Sequence, residues 1–128
     1  MEADISGPQR KVVRSSVRPR RFIHGTEGIR LRDGLSLPFT VSRAWNAPSG
    51  NYEEIWYLVD PKTREVVYEG PVKIVQIWGL QSLTELNDDV VEPVTIAPGT
   101  YQVVFALGGL KGGELDFEVS ESPAEEAA

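Results

Sequence analysis

The chain has 128 residues, of which 25% are charged and 41% hydrophobic, with a formal net charge of −6 and no cysteine. A chain of this length can bury roughly two-thirds of its unfolded surface, enough for one core. The absence of cysteine excludes disulfides, thiolate nucleophiles and cysteine-ligated metals. No apolar run approaches the ~20 residues of a membrane span and the start lacks the apolar stretch of a secretory leader, so no membrane contact is expected.

Charge is unevenly placed. Residues 1–32 hold eight Lys or Arg against three acids, net +5, and residues 33–128 hold five against sixteen, net −11. Residues 1–24 are read as an extended basic arm: Arg10, Lys11, Arg14, Arg18, Arg20 and Arg21 alternate with Val12, Val13, Val17, Phe22 and Ile23. Such a segment cannot form a core of its own, but its arginines and β-branched residues suit an arm that orders on a partner. Residues 25–120 are read as the folded domain and residues 121–128 as an acidic flexible tail.

Within the domain, Asp33-Gly34 stands between two short alternating runs, a strong hairpin signal, and Pro38 marks the second run as an edge or a bulge. Residues 42–52, with Pro48 and Gly50, predict a loop. The nearly continuous apolar run Glu54 to Val59 ends at the turn sequence Asp60-Pro61-Lys62-Thr63 and predicts another hairpin with residues 64–68. From Val72 to Trp78 both faces carry apolar residues, which predicts a strand covered on both sides or a contact between subunits. Residues 79–92 predict a loop capping one end of the fold. Residues 95–119 predict a last hairpin, with Tyr101, Val103 and Phe105 on one face of its first strand. Its second strand alternates Leu115, Phe117 and Val119 with the acidic row Glu114, Asp116 and Glu118.

About eight short strands, regular turn signals and no long helix predict an all-β fold, an antiparallel β-sandwich. The segment Ala97-Pro98-Gly99-Thr100-Tyr101 resembles the tyrosine-corner entry to a late strand of immunoglobulin and fibronectin-III-like sandwiches. That resemblance implies a tyrosine hydroxyl bonded to backbone upstream, and says nothing of function.

The search for chemistry finds little. His24 stands alone, whereas a metal site needs several ligands in coherent spacing, and no G-x-S-x-G elbow accompanies it. Glu53-Glu54 and Asp88-Asp89 are adjacent and face opposite ways on a strand. The cluster Glu85, Asn87, Asp88 and Asp89 lacks the spacing of a calcium loop. Gly108 to Gly113 runs from strand to strand, unlike a phosphate cradle, and is read as a flexible loop through which Lys111 touches a partner. Trp45 is the tryptophan expected at the surface, with Trp56 and Trp78 in the core.

The expectation is therefore a non-catalytic protein with no cofactor and no metal. Its arm (Arg10, Lys11, Arg14, Arg18, Arg20, Arg21 and Phe22) clamps a neighbouring subunit or a larger particle, with a virion decoration protein as one concrete form. The acidic row Glu114, Asp116 and Glu118 is the expected receiver of a neighbour's arginines, and Trp45 the expected loop contact. Such a protein belongs in the cytoplasm or on a virion. One alternative is an intracellular binding module or protease inhibitor presenting loops to a protein or carbohydrate. Another is nucleic-acid binding through the arm, which the acidic body disfavours.

Overall fold

Asp33 and Gly34 have φ angles of 56° and 79°, the paired left-handed conformation of the tight hairpin that their sequence demands. They join two of ten strands formed by the computed structural model, which describes residues 10–20 and 27–122. In chain order these are β1 (Lys11–Pro19), β2 (Ile29–Arg32), β3 (Leu35–Ser36), β4 (Phe39–Asn46) and β5 (Gly50–Val59). They are followed by β6 (Val66–Glu69), β7 (Lys73–Ile77), β8 (Thr84–Val90), β9 (Gly99–Leu107) and β10 (Leu110–Glu121). The fold is all-β, as expected.

The strands make two sheets. The smaller has the order β1-β4-β8; the larger runs β3-β2-β10-β9-β5-β6, with β7 also paired to β5 on the β6 side. One of the two sheets is curled into a half-barrel. Pairing is antiparallel except that β2 lies parallel to β10, Val119 opposite Ile29, so the sheet is mixed where an antiparallel one was expected. Buried side chains from both sheets share one core. Val17, Phe39, Val41, Trp45 and Val90 come from the smaller sheet, and Ile29, Leu31, Trp56, Leu58, Ile77, Val103, Phe105, Leu107 and Phe117 from the larger. Burying each such side chain is worth about 1.5–3 kcal/mol.

Three segments differ from expectation. Residues 11–19, read as part of an extended basic arm that orders on a partner, form β1 and pair along β4 from Lys11 opposite Asn46 to Pro19 opposite Phe39. From Arg14 onward their pattern has period two, with Val17 and Pro19 buried and Arg14 and Arg18 exposed, and the bulge between Val12 and Arg14 lets Val12 pack on the core as well, so the basic residues occupy the wet face of a strand. Residues 42–52 are mostly strand, because only Ala47, Pro48 and Ser49 separate β4 from β5. Residues 79–92, read as a capping loop, contain β8, whose Thr84, Asp88 and Val90 are buried; three acids among seven residues hid its period.

The glycine-rich segment is also tighter than predicted. Only Gly108 and Gly109, with φ of 58° and 85°, form the turn, and Leu110 already pairs with Leu107. Gly112 and Gly113 lie in β10 beside a bulge, where a Cβ on Gly112 would collide with the Trp45 ring and one on Gly113 would meet Val12 Cβ at 2.8 Å. Those two glycines make room for β1 and Trp45 rather than for motion. At the entry to β9 the Tyr101 hydroxyl donates to the Ala97 carbonyl at 2.9 Å, the bond that the tyrosine-corner resemblance implies.

Candidate functional site

The densest polar cluster is buried between the sheets. On β4 the inward positions run Val41, Arg43, Trp45, so a guanidinium projects into an apolar core and must find partners there. It finds Glu54 on β5: Arg43 Nε donates to Oε2 at 2.7 Å and Nη2 to Oε1. Both side chains are fully buried. Trp45 Nε1 donates to the same Glu54 Oε2 at 2.8 Å. Arg43 Nη1 donates to the Val41 carbonyl at 3.3 Å.

Asp88 on β8 closes the cluster. Its Oδ2 accepts from Arg43 Nη2 at 3.1 Å and from Trp56 Nε1 at 2.6 Å, and its Oδ1 accepts from Lys73 Nζ on β7. Burial opposes the Asp88 charge, but hydrogen bonds from Lys73 and Trp56 and the charges of Arg43 and Lys73 outweigh it. The carboxyl is held below its ordinary range. Two cations face two anions, and both tryptophan N–H groups are used. This arrangement pins β4 and β8 of one sheet to β5 and β7 of the other. Its groups are spent on one another, and of the four charged side chains only Lys73 is more than slightly exposed.

The expected contact residues separate. Arg10 turns back onto its own domain, donating to the Leu107 carbonyl at 2.9 Å and lying 4.9 Å from the centre of the Tyr52 ring. Arg14 pairs with Glu85, and Arg20 Nε with Asp89 at 3.2 Å. Lys11 and Arg18 are exposed on β1. Arg21, Phe22 and His24 lie outside the described residues. Glu114, Asp116 and Glu118 line the outward face of β10, on the other sheet from β1. There Glu114 pairs with Lys111 and Glu118 accepts from the Thr100 hydroxyl at 2.5 Å. Within one chain, then, Arg14 and Arg20 meet Glu85 and Asp89 instead of this acidic row. The four residues weighed for calcium are split by alternation: Asp88 points inward while Glu85, Asn87 and Asp89 point out.

Trp56 is buried as expected, but the expectations for the other two tryptophans are reversed. Trp45 is buried at 0% exposure, whereas Trp78, expected in the core, is 65% exposed. Trp78 continues a row with Val72, Ile74 and Gln76; Ile74 is 68% exposed and Val72 56%, while Val75 and Ile77 between them are buried. The Trp78 amide donates to the Thr84 hydroxyl at 2.9 Å, which fixes the backbone that carries the ring. A second feature lies on the outward face of β5 and β9, where Tyr57, Val59 and Val104 floor a shallow groove rimmed by Arg64, Lys111 and Glu114.

Sequence reasoning missed the buried cluster. Its signal was Glu54, a carboxylate opening an otherwise apolar strand run, together with Arg43 in phase with Val41 and Trp45.

No protein-family model matches the sequence, and no curated protein does. Among solved structures, the chain is similar to the Pseudomonas fluorescens alkylpurine DNA glycosylase AlkC bound to DNA containing an abasic site analog, with TM-score 0.54 and 15% identity. The match covers 89% of this chain and 31% of that one. A β-glucosidase from Listeria innocua in complex with isofagomine matches at TM-score 0.45 and 15% identity, over 84% of this chain and 16% of that one. The chain therefore spans less than a third of either protein, and at this identity the glycosylase shares its fold alone.

Proposed function

We propose that the chain is a non-catalytic, immunoglobulin-like β-sandwich that binds protein neighbours in an assembly. The Tyr101–Ala97 hydrogen bond and the shared core of the two sheets support the fold. The observation that carries the function is the contrast between the buried Arg43–Glu54–Asp88 cluster and the exposed row Val72, Ile74, Trp78. Charged groups that could do chemistry are consumed inside, while large apolar side chains stand in water on a sheet edge. Exposed aromatic and aliphatic clusters are the usual anchors of protein contacts.

In this reading the contact lies on β7, and the arm serves differently from the expected clamp. From Lys11 to Pro19 it completes the domain's own sheet, leaving Lys11 and Arg18 as outward charges for a neighbour. Nucleic-acid binding is less well supported, because Arg10, Arg14 and Arg20 are engaged within the chain. The groove over Tyr57 and Val104 favours, as a second reading, a module that takes a small polar ligand such as a sugar.

A photo-reactive residue in place of Gln76, introduced in cells making the full chain, tests the first reading. A discrete protein adduct on illumination is expected, absent when the same group replaces Asp116 on β10. No adduct, or the same adducts at both positions, would overturn it.

A further inference from the structure

We propose that the occupant of the β7 surface is a second copy of this chain, joined antiparallel, edge to edge, about a two-fold axis at Gln76. This rests on the reading of β7 as a contact surface and names its partner. The argument begins with the edges of the two sheets. An edge strand presents unpaired backbone groups, and proteins that stay apart blunt it with charge, proline, a bulge or short length. Four of the five edge strands among the described residues are blunted so. Strand β1 carries exposed Arg14 and Arg18 and a bulge between Val12 and Arg14; β8 carries exposed Glu85 and Asp89. Strand β3 has two residues and is followed by Pro38, and β6 has four residues with Glu65 before it and Glu69 at its end.

Strand β7 differs. Its one charge, Lys73, turns toward Asp88, and its solvent-facing row Val72, Ile74, Gln76, Trp78 is uncharged. In a chain whose net charge is −6, an uncharged edge is where two copies can meet without like-charge opposition. The row is also its own complement. Antiparallel pairing about Gln76 sets Ile74 against Trp78 of the second copy, and Trp78 against its Ile74, the aromatic and β-branched pairing that sheets favour. The two Gln76 amides face each other, each both donor and acceptor. On the inner face Val75 meets Ile77 of the second copy. Shifting the axis to Val75 would instead set Ile74 against Gln76, apolar against polar, so the side chains select the first register. The same patch on both copies makes a closed two-fold dimer, which cannot grow into a fibre.

The absence of native cysteine gives a direct test. In the Gln76-centred register the Cα atoms of the two Gln76 residues stand about 4.5–5.5 Å apart, within disulfide range. Purified Gln76→Cys under mild oxidation should form a covalent dimer that Asp116→Cys does not. Wild type should sediment as a dimer at micromolar concentration. Ile74→Lys, at an exposed position, should be a cooperatively folded monomer whose melting temperature, unlike that of wild type, does not depend on protein concentration, with stronger acrylamide quenching of Trp78. A monomeric wild type, or cross-linking of Gln76→Cys no greater than of Asp116→Cys, would overturn the proposal. If wild type is monomeric while the photo-reactive residue at position 76 captures a different protein, the dimer falls and the contact surface stands. If nothing is captured, both fall.

Discussion

Arg14 and Glu85 stand on the two edge strands of the smaller sheet and form an ion pair across the strand between them. Both lie opposite Ala44, whose methyl group leaves the path over β4 open to a long arginine. The next polar row repeats the idea with shorter side chains, Ser42 donating to Asn87 at 2.6 Å. One row further on, Thr40 and Arg20 both donate to Asp89, at 2.7 and 3.2 Å. The basic N-terminal stretch thus has its acidic counterpart inside the same sheet.

Because Arg14 and Glu85 are 60% and 61% exposed, their pair is worth only about 0.2–1 kcal/mol. Arg14→Glu should lower the free energy of urea unfolding by about that much, and the exchange Arg14→Glu with Glu85→Arg should restore most of it. The deficit should shrink in high salt. A single variant as stable as wild type at low salt would mean that the pair is ornamental.

Deleting residues 1–24 tests whether β1 belongs to the domain. The deletion removes Val17, at 2% exposure, uncovers β4 along its length and frees the Tyr52 ring from Arg10. Several buried contacts go together, so a melting temperature lower by roughly 10 °C or more is expected, at about 4–8 °C per kcal/mol for a domain near this size. An appendage would come away with the melting temperature unchanged.

Within the core, Arg43→Met leaves Glu54 buried with Trp45 as its remaining donor. Stranding a buried charge in this way costs about 3–5 kcal/mol. Replacing Arg43, Glu54 and Asp88 together by apolar residues should cost less than the single change, since the one charge that then loses its partner, Lys73, is 38% exposed and can turn to water. Chemical denaturation of the two variants, side by side, decides the order.

Much of the fold was legible because local rules acted alone. Asp33-Gly34 made its turn, Asp60-Pro61 ended β5, and the alternation of Leu115, Phe117 and Val119 fixed which face of β10 meets the core. The contact candidates were less legible, because burial depends on which strand lies alongside. Trp45 sits beside Asn46, Pro48 and Gly50, a loop-like neighbourhood, yet β1 and Gly112 close over it. Trp78 ends an apolar run that reads as core, yet β7 lies at an edge with that row turned to solvent. Arg43 and Asp88 are 45 residues apart, and no local pattern announces a pair that only the packing of two sheets brings together.

Asp88 makes acid stability the sharpest solution test of the buried cluster. Its folded-state pKa lies below its unfolded value because, although burial opposes the charge, bonds from Lys73 and Trp56 and the Arg43 and Lys73 charges favour it. A carboxyl lowered on folding stabilises the protein fully above the unfolded value, about 3.9, and loses that contribution as pH falls through the folded value. Near neutral pH, Asp88→Asn should therefore be less stable than wild type, and the gap should hold constant down to about pH 5. Below about pH 4 the gap should narrow, because wild type surrenders an ionic contribution that the variant never had. Unfolding free energies across this range, compared at each pH, supply the check. A gap that stays constant into strong acid would show that Asp88 contributes through its shape and hydrogen bonds alone, with no share from its charge.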